Sequence, residues 1–287
     1  MKTIRLAGRD AGALPAWAMS QRQLIDRMND AAPRFQEQYT RGDGTLIWRE
    51  EFPGMDGSDD GYESFFNWPL FYALGGRQDM EERSRYLWDA VTRQFTEYGL
   101  VWREFDGYYD WMHHGESYLY FYFFGLSGPS HQVERSRRFA DMYTGADPEA
   151  PNWDPEKRMM RSPINGSRGP HFKYTWEDWS TCRWDLAQYQ VPFDDLDVPT
   201  ETREFRGEMV PIADWKEDRV YEVILAALNE RQMHGDVPLN LAATSLVTNA
   251  YIHTGDDGYR QWVLDYLEAW AERIETNGGL CPDHGGH

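Results

Sequence analysis

Ser117-Tyr118-Leu119-Tyr120-Phe121-Tyr122-Phe123-Phe124-Gly125 is apolar or aromatic on every side between residues 118 and 124. By propensity such a run fits a buried strand as well as a buried helix, and periodicity does not separate the two. The surrounding pattern does. Three stretches of the chain share one plan: Gly61 through Leu74-Gly75-Gly76 to Phe95, Gly115 through Gly125 and Gly128 to Tyr143, and Asn240 through Gly255 to Ile274. Each passes from an apolar-all-round segment, through a glycine-containing turn, into a helix with one apolar face. Tyr259, Trp262, Val263, Tyr266, Leu267, Trp270 and Ile274 show that face most clearly. Val220 to Leu228 and Tyr86 to Phe95 repeat it. The interval from Gly128 to Gly255 is more than twice that from Gly76 to Gly128, leaving room for two such units and an insertion. Inner buried helix, short turn and outer half-exposed helix, repeated around a centre, predict an all-α toroid over residues 1–287. On that plan the Tyr118 segment is an inner helix.

Composition narrows the function. Lys and Arg number 29 against 48 Asp and Glu, a net charge of −19, which argues against binding the phosphate backbone of nucleic acid. No run has the length of a membrane span. Met1 to Leu14, interrupted by Arg9 and Asp10, does not read as a signal peptide, and Cys182 and Cys281 make no disulfide framework. A cytoplasmic protein is the expectation. The 13 Trp and 17 Tyr are many for such a chain, and rings with polar tips suit sugar faces or small-molecule pockets.

Asp59-Asp60-Gly61-Tyr62-Glu63-Ser64-Phe65-Phe66-Asn67-Trp68-Pro69-Leu70-Phe71-Tyr72-Ala73-Leu74-Gly75 resembles an inner helix of the six-hairpin glycosidase superfamily. Trp111-Met112-His113-His114-Gly115-Glu116, leading into the next inner segment, adds to the likeness. The resemblance covers residues 56–143 well and 214–274 in pattern. It implies glycosidic-bond hydrolysis inside an (α/α)6 ring, with Asp60 and Asp110 as the first pair of catalytic candidates and His114 as the alternative to either. The chain departs from the pattern in having an initial helix, near Leu14 to Tyr39, and too few hairpins to close such a ring. The faces at Leu14 to Tyr39 and Leu264 to Leu280 are then left without partners, so self-association or a longer chain is expected.

In a toroid the loops entering the inner helices line one mouth, and reactive side chains concentrate there. One loop carries Asp56, Asp59, Asp60 and Glu63. A second carries Asp106, Tyr108, Tyr109, Asp110, Trp111, His113, His114 and Glu116, a third Trp176 to Trp179, and a fourth His234, Asp236 and Asn240. Each acid alone is explained as a helix cap or a partner of a helix dipole. Gathered on one mouth they suit hydrolysis, which needs a protonated group for the leaving oxygen and a base for water or for direct attack. Tyr109, Trp111, His113, Glu116 and Trp179 are candidate substrate contacts, with Trp68 more naturally a core residue.

The insertion at about 145–175 is rich in Pro, Gly, Asn and charge. It brings Arg161, Arg168 and His171 together with Lys157, Arg158 and Lys173 in an otherwise acidic chain. Such an excess reads either as a solvated loop or as a lid that recognises a uronate or another anionic sugar. Asn165-Gly166-Ser167 has the form of a glycosylation sequon, though Asn-Gly fits a tight turn better. The leading expectation is hydrolysis of a uronate-containing oligosaccharide. The rival is elimination by a lyase, for which His114, Tyr109, Asn165, Arg168 and His171 are the suited groups. A non-catalytic sugar-binding toroid and an enzyme for a small apolar substrate complete the alternatives. No P-loop, dinucleotide fingerprint, nucleophile elbow or zinc-protease motif occurs, and no His or Cys set has diagnostic metal spacing, so neither a cofactor nor a metal is expected.

Overall fold

The computed structural model describes residues 15–47, 59–107, 109–170, 195–205, 207–213, 217–231 and 234–285. Its described part is all-α with three small two-stranded hairpins. Helix α1 (Ala16–Tyr39) is followed by α2 (Asp59–Tyr62), α3 (Trp68–Ala73), α4 (Asp79–Glu97), α5 (Trp111–Ser127) and α6 (Val133–Thr144). After the insertion come α7 (Asp218–Arg231), α8 (Ala243–Thr254) and α9 (Asp257–Thr276). The strands are β1 (Val101–Trp102) with β2 (Phe105–Asp106), β3 (Trp153–Asp154) with β4 (Met159–Met160), and β5 (Thr200–Phe205) with β6 (Glu208–Ala213).

The ambiguous aromatic run is the body of α5, and its surroundings explain why it is apolar all round. Tyr118 and Phe121 face a core shared with α6, α8, α9 and the insertion, beside Phe139, Tyr143, Leu246 and Trp270. Tyr120 and Phe124 face a second core built by α2 and α4, beside Tyr62, Phe65, Trp88 and Phe95. One helix therefore covers two aromatic cores. Consecutive helices α3 with α4 and α8 with α9 pack along the chain, α5 meets α6 through Tyr118, Phe121 and Phe139, and α3 packs against α5 and α6 against α8. Gly255, at φ +68°, takes the left-handed turn that stops α8 and lets α9 double back.

The first apolar segment is not one helix. Residues 63–67 form turns between α2 and α3. Pro69 accounts for the break: it lacks an N–H, and its ring would strike the carbonyl of Phe65 in a continuous helix. A second proline, Pro33, sits inside α1 and leaves the Asn29 carbonyl without its helical donor. Arg77 repairs this. Its Nη2 donates to Asn29 O at 2.9 Å, and its backbone N–H donates to Asn29 Oδ1 at 2.8 Å.

The insertion is integral to the structure as far as it is described. Ala150, Asn152, Trp153, Met159, Met160 and Asn165 are buried, and Trp153 meets Trp262 and Tyr266 of α9 at 4.9 and 5.2 Å. This corrects the reading of residues 145–170 as a solvated loop: Ala150, Trp153 and Met160 tie the segment to the core.

The β1–β2 turn is held by charge. Arg103 and Glu104 have φ of +56° and +66°, conformations that favour Asn and Gly. Glu104 is clamped by Arg135, at 3.0 Å, and by Arg138, while Arg103 reaches Asp147 at 2.7 Å. Burial pushes the Glu104 carboxyl up, but the hydrogen bonds and charges of the two arginines outweigh it and hold the group below its ordinary value of 4.5. Its contribution is present above that value and is lost as pH falls through the depressed one. Glu104→Gln is expected to cost about 1 kcal/mol at pH 7, the upper end for a partly exposed ion pair. Urea titrations should show the difference shrinking as pH drops below 4.5. A difference that stays constant with pH would assign the cost to packing.

Candidate functional site

Asp110 starts α5. Its Oδ1 accepts from the backbone N–H groups of Met112 and His113 at 2.9 and 3.2 Å, as an N-cap should, and also contacts His113 Nδ1 at 2.9 Å. All three of these contacts fall on Oδ1. Oδ2 takes none of them, and the side chain is 27% exposed. Burial alone would raise this carboxyl. The His113 hydrogen bond and charge, the backbone N–H and the more distant His114 charge overcome that and hold it below the ordinary 3.8. The His113 ring stands edge-on to Tyr109 at 4.1 Å. The result is an ionised carboxylate with one oxygen fixed, one oxygen uncommitted, and two rings beside it.

Behind this rim lies a buried polar chain. His114 is fully buried, with Nε2 at 2.7 Å from the Asn165 carbonyl, which only accepts, so Nε2 carries the hydrogen. Its Nδ1 lies 3.4 Å from Asp106 Oδ2, which Ser117 Oγ also approaches at 3.4 Å. Asn165 Nδ2 donates to Asn240 Oδ1 at 3.1 Å, and Asn240 Nδ2 donates to Asp236 Oδ1 at 2.9 Å. Asp236 then accepts from Tyr266 Oη at 2.9 Å and from the Met160 N–H at 3.1 Å. This chain joins β2, α5, the insertion, the 3₁₀ turn Pro238–Ala242, and α9. It reaches the rim through the backbone, because Asn165 and Tyr109 exchange both N–H···O bonds at 2.8 and 3.0 Å. Close approach is obligatory here: a Cβ on Gly166 would lie 2.4 Å from the Asp106 carbonyl.

The structure sorts the sequence candidates. Tyr109, Asp110 and His113 come together at the rim. His114 and Asn165 join them from beneath, but both are fully buried, which corrects their assignment as groups that meet substrate. Trp111 is 1% exposed, edge-on to Tyr143 at 4.9 Å, and is a core residue rather than a stacking surface. Trp68 likewise packs edge-on to Phe35 at 5.8 Å. Asp60 is half-buried in α2, whose Tyr62 meets Tyr120 well along α5, and it does not contact Asp110. Arg161 and Arg168 both make contacts within the fold. Arg161 Nε is spent on the Trp153 carbonyl at 3.0 Å, and the Arg168 guanidinium lies over Trp102 at 4.9 Å. Arg158 pairs with Glu272. His171, Trp179 and the side chain of Glu116 lie outside the described residues.

Asp106, Asp236 and Asn240 were legible as mouth residues but not as one connected set, and Ser117 and Tyr266 carried no signal beyond helical periodicity. Their linkage depends on contacts between residues far apart in sequence. Among the described residues no three His, Cys, Asp or Glu side chains converge as a metal site would require, and no helix is long and apolar enough to cross a membrane.

A family model described as a domain of unknown function (DUF8034) matches residues 6–287, and the chain belongs to that family. No curated protein and no solved structure matches it.

Proposed function

We propose that this member of the family is a carbohydrate-active enzyme, a glycoside hydrolase of cytoplasmic location built on an open relative of the six-hairpin toroid. The observation that carries the proposal is the Asp110 carboxylate: ionised, capped through Oδ1, and presenting Oδ2 beside Tyr109 and His113. A carboxylate held below its ordinary range suits the base that activates water and is the wrong group for the acid. Asp60, on a different helix and out of contact with Asp110, is the first candidate for the acid.

One feature favours hydrolysis over elimination. His114 and Asn165, two of the groups suited to removing a proton beside a uronate and neutralising the enolate, are sealed in the interior. Arg158, Arg161 and Arg168 each have a contact within the fold, so neutral as well as uronate-containing oligosaccharides belong in the test.

A panel of neutral and uronate-containing oligosaccharides, read for new reducing ends and for the ultraviolet absorbance of an unsaturated product, tests the proposal. New reducing ends without absorbance are expected. Absorbance would establish a lyase, and saturable binding without turnover on every member would establish a sugar-binding module.

A further inference from the structure

Helix α1 carries an apolar stripe, at Trp17, Leu24 and Met28, that stays exposed among the described residues. Trp17 is 69% exposed, Leu24 57% and Met28 41%. With Ala31 they fall on one side of the helix at steps of seven, four and three residues, Gln21 taking the remaining seam position, while Phe35 next along turns onto Phe65 and Trp68. The buried side of α1 is a different one, marked by Asn29 and Ala32. Over the second half of the stripe runs a groove of about 420 Å³, lined by Arg27, Ala31, Arg34, Phe35 and Gln38. Ala31 makes its floor shallow, and two guanidinium groups, the Asp30 carboxylate and the Tyr39 ring stand on its walls.

Charge points to the occupant. In a chain of net charge −19, copies repel over most of their surface. Helix α1 is neutral, with Arg22, Arg27 and Arg34 balanced by Asp26, Asp30 and Glu37. It offers a face on which two such chains can meet without like-charge cost. The stripe is also self-complementary: Leu24 stands midway between Trp17 and Ala31, so an antiparallel pair centred on Leu24 sets each Trp17 opposite the other copy's Ala31.

We propose that α1 docks antiparallel on α1 of a second copy, with Leu24 at the two-fold axis. Each Trp17 ring enters the groove over the other copy's Ala31, between Arg27 and Arg34. A two-fold interface uses the same patch on both subunits, as this stripe requires. The indole gains both burial and cation–π contact with the guanidinium groups. The inference does not depend on the glycosidase reading.

Sedimentation equilibrium on the full chain tests it. Wild type is expected to dimerise at micromolar concentration, and Leu24→Asp to weaken dimerisation by at least about tenfold. Since Leu24 is exposed in the single chain, the far-ultraviolet spectrum of the variant should be unchanged. Orientation is read by disulfide trapping with Cys182 and Cys281 replaced by Ser: a Trp17→Cys chain mixed with an Ala31→Cys chain should cross-link. A wild type that is monomeric at every concentration overturns the proposal, whether or not it binds anionic vesicles. So does a Leu24→Asp variant that dimerises as tightly as wild type. Cross-linking of Trp17→Cys with itself but not with Ala31→Cys would show a parallel pair and would also refute it.

Discussion

Asp110→Asn is expected to lower turnover on the responding oligosaccharide by about 10²–10⁴-fold, the usual worth of a positioned general base, while thermal stability stays near that of wild type. The geometry allows both results from one substitution. Oδ1 accepts from Met112 N–H, His113 N–H and the His113 ring, and the amide oxygen of Asn can take the same place. Asn and Asp are about equally good N-caps, so the start of α5 is preserved. What changes is Oδ2, which becomes an NH₂ that neither carries charge nor takes a proton from water. Asp110→Ala separates the roles from the other side. It removes the cap as well and should cost about 0.5–2 kcal/mol of stability in addition to activity. Turnover by Asp110→Asn equal to wild type would leave Asp110 as a cap alone. Because the folded carboxyl lies below its ordinary 3.8, its stabilising contribution is present above that value and fades as pH falls through the depressed one. Acid unfolding of Asp110→Ala should therefore differ least from wild type at the lowest pH.

Sequence patterns located the helices wherever a periodic face was long. The stretches around Tyr86, Val220 and Tyr259 all lie in helices α4, α7 and α9, and the Tyr118 run is helical because hairpins on both sides bury it. Local chemistry overrode the pattern at Pro69, where an apolar run is two short helices. The β5–β6 hairpin was readable in principle from the alternation of Thr200-Glu201-Thr202 and the turn glycine Gly207, yet it is short and polar and looks like loop. The insertion misled for a different reason. Its Pro, Gly, Asn and Arg residues have a loop's composition, but Asn152, Asn165 and Trp153 serve the interior by contacts with residues as far along the chain as Tyr266, which no local window contains. The same limit hid the polar chain. Asp110 was named through the family resemblance of its loop, and its cap is a local device, whereas the bond between Asn165 and Asn240 spans 75 residues.

Removing Asp236 should have the largest effect on stability. Its carboxyl is buried and accepts from Tyr266 Oη, Asn240 Nδ2 and the Met160 N–H, with Arg273 Nη1 4.0 Å away. In Asp236→Ala three buried donors lose their acceptor, and water has no access to replace it. Leaving a buried donor without its acceptor costs about 1–3 kcal/mol each, against a total of about 5–15 kcal/mol for a domain. Urea unfolding at pH 7 measures it, and a loss below about 1 kcal/mol, ordinary for surface changes, would show that the chain carries no strain-bearing role. Asp236→Asn should cost less, since one oxygen survives, but its NH₂ must face either the Met160 N–H or the donors on Oδ1. The pH dependence of Asp236 runs opposite to that of Glu104 and Asp110. Burial raises its carboxyl above 3.8, more than the hydrogen bonds of Asn240, Met160 and Tyr266 lower it. Its contribution is therefore complete below 3.8 and declines as pH rises through the folded value, where the native state must hold an ionised carboxylate out of water. The effect should also travel. Asn240 fixes the Asn165 side chain, and the Asn165 backbone pairs with Tyr109, the residue before Asp110. A loosened Asp236 frees that relay, so in Asp236→Asn the capping bonds of Asp110 should exchange amide hydrogen faster at Met112 and His113 than at the far end of α5.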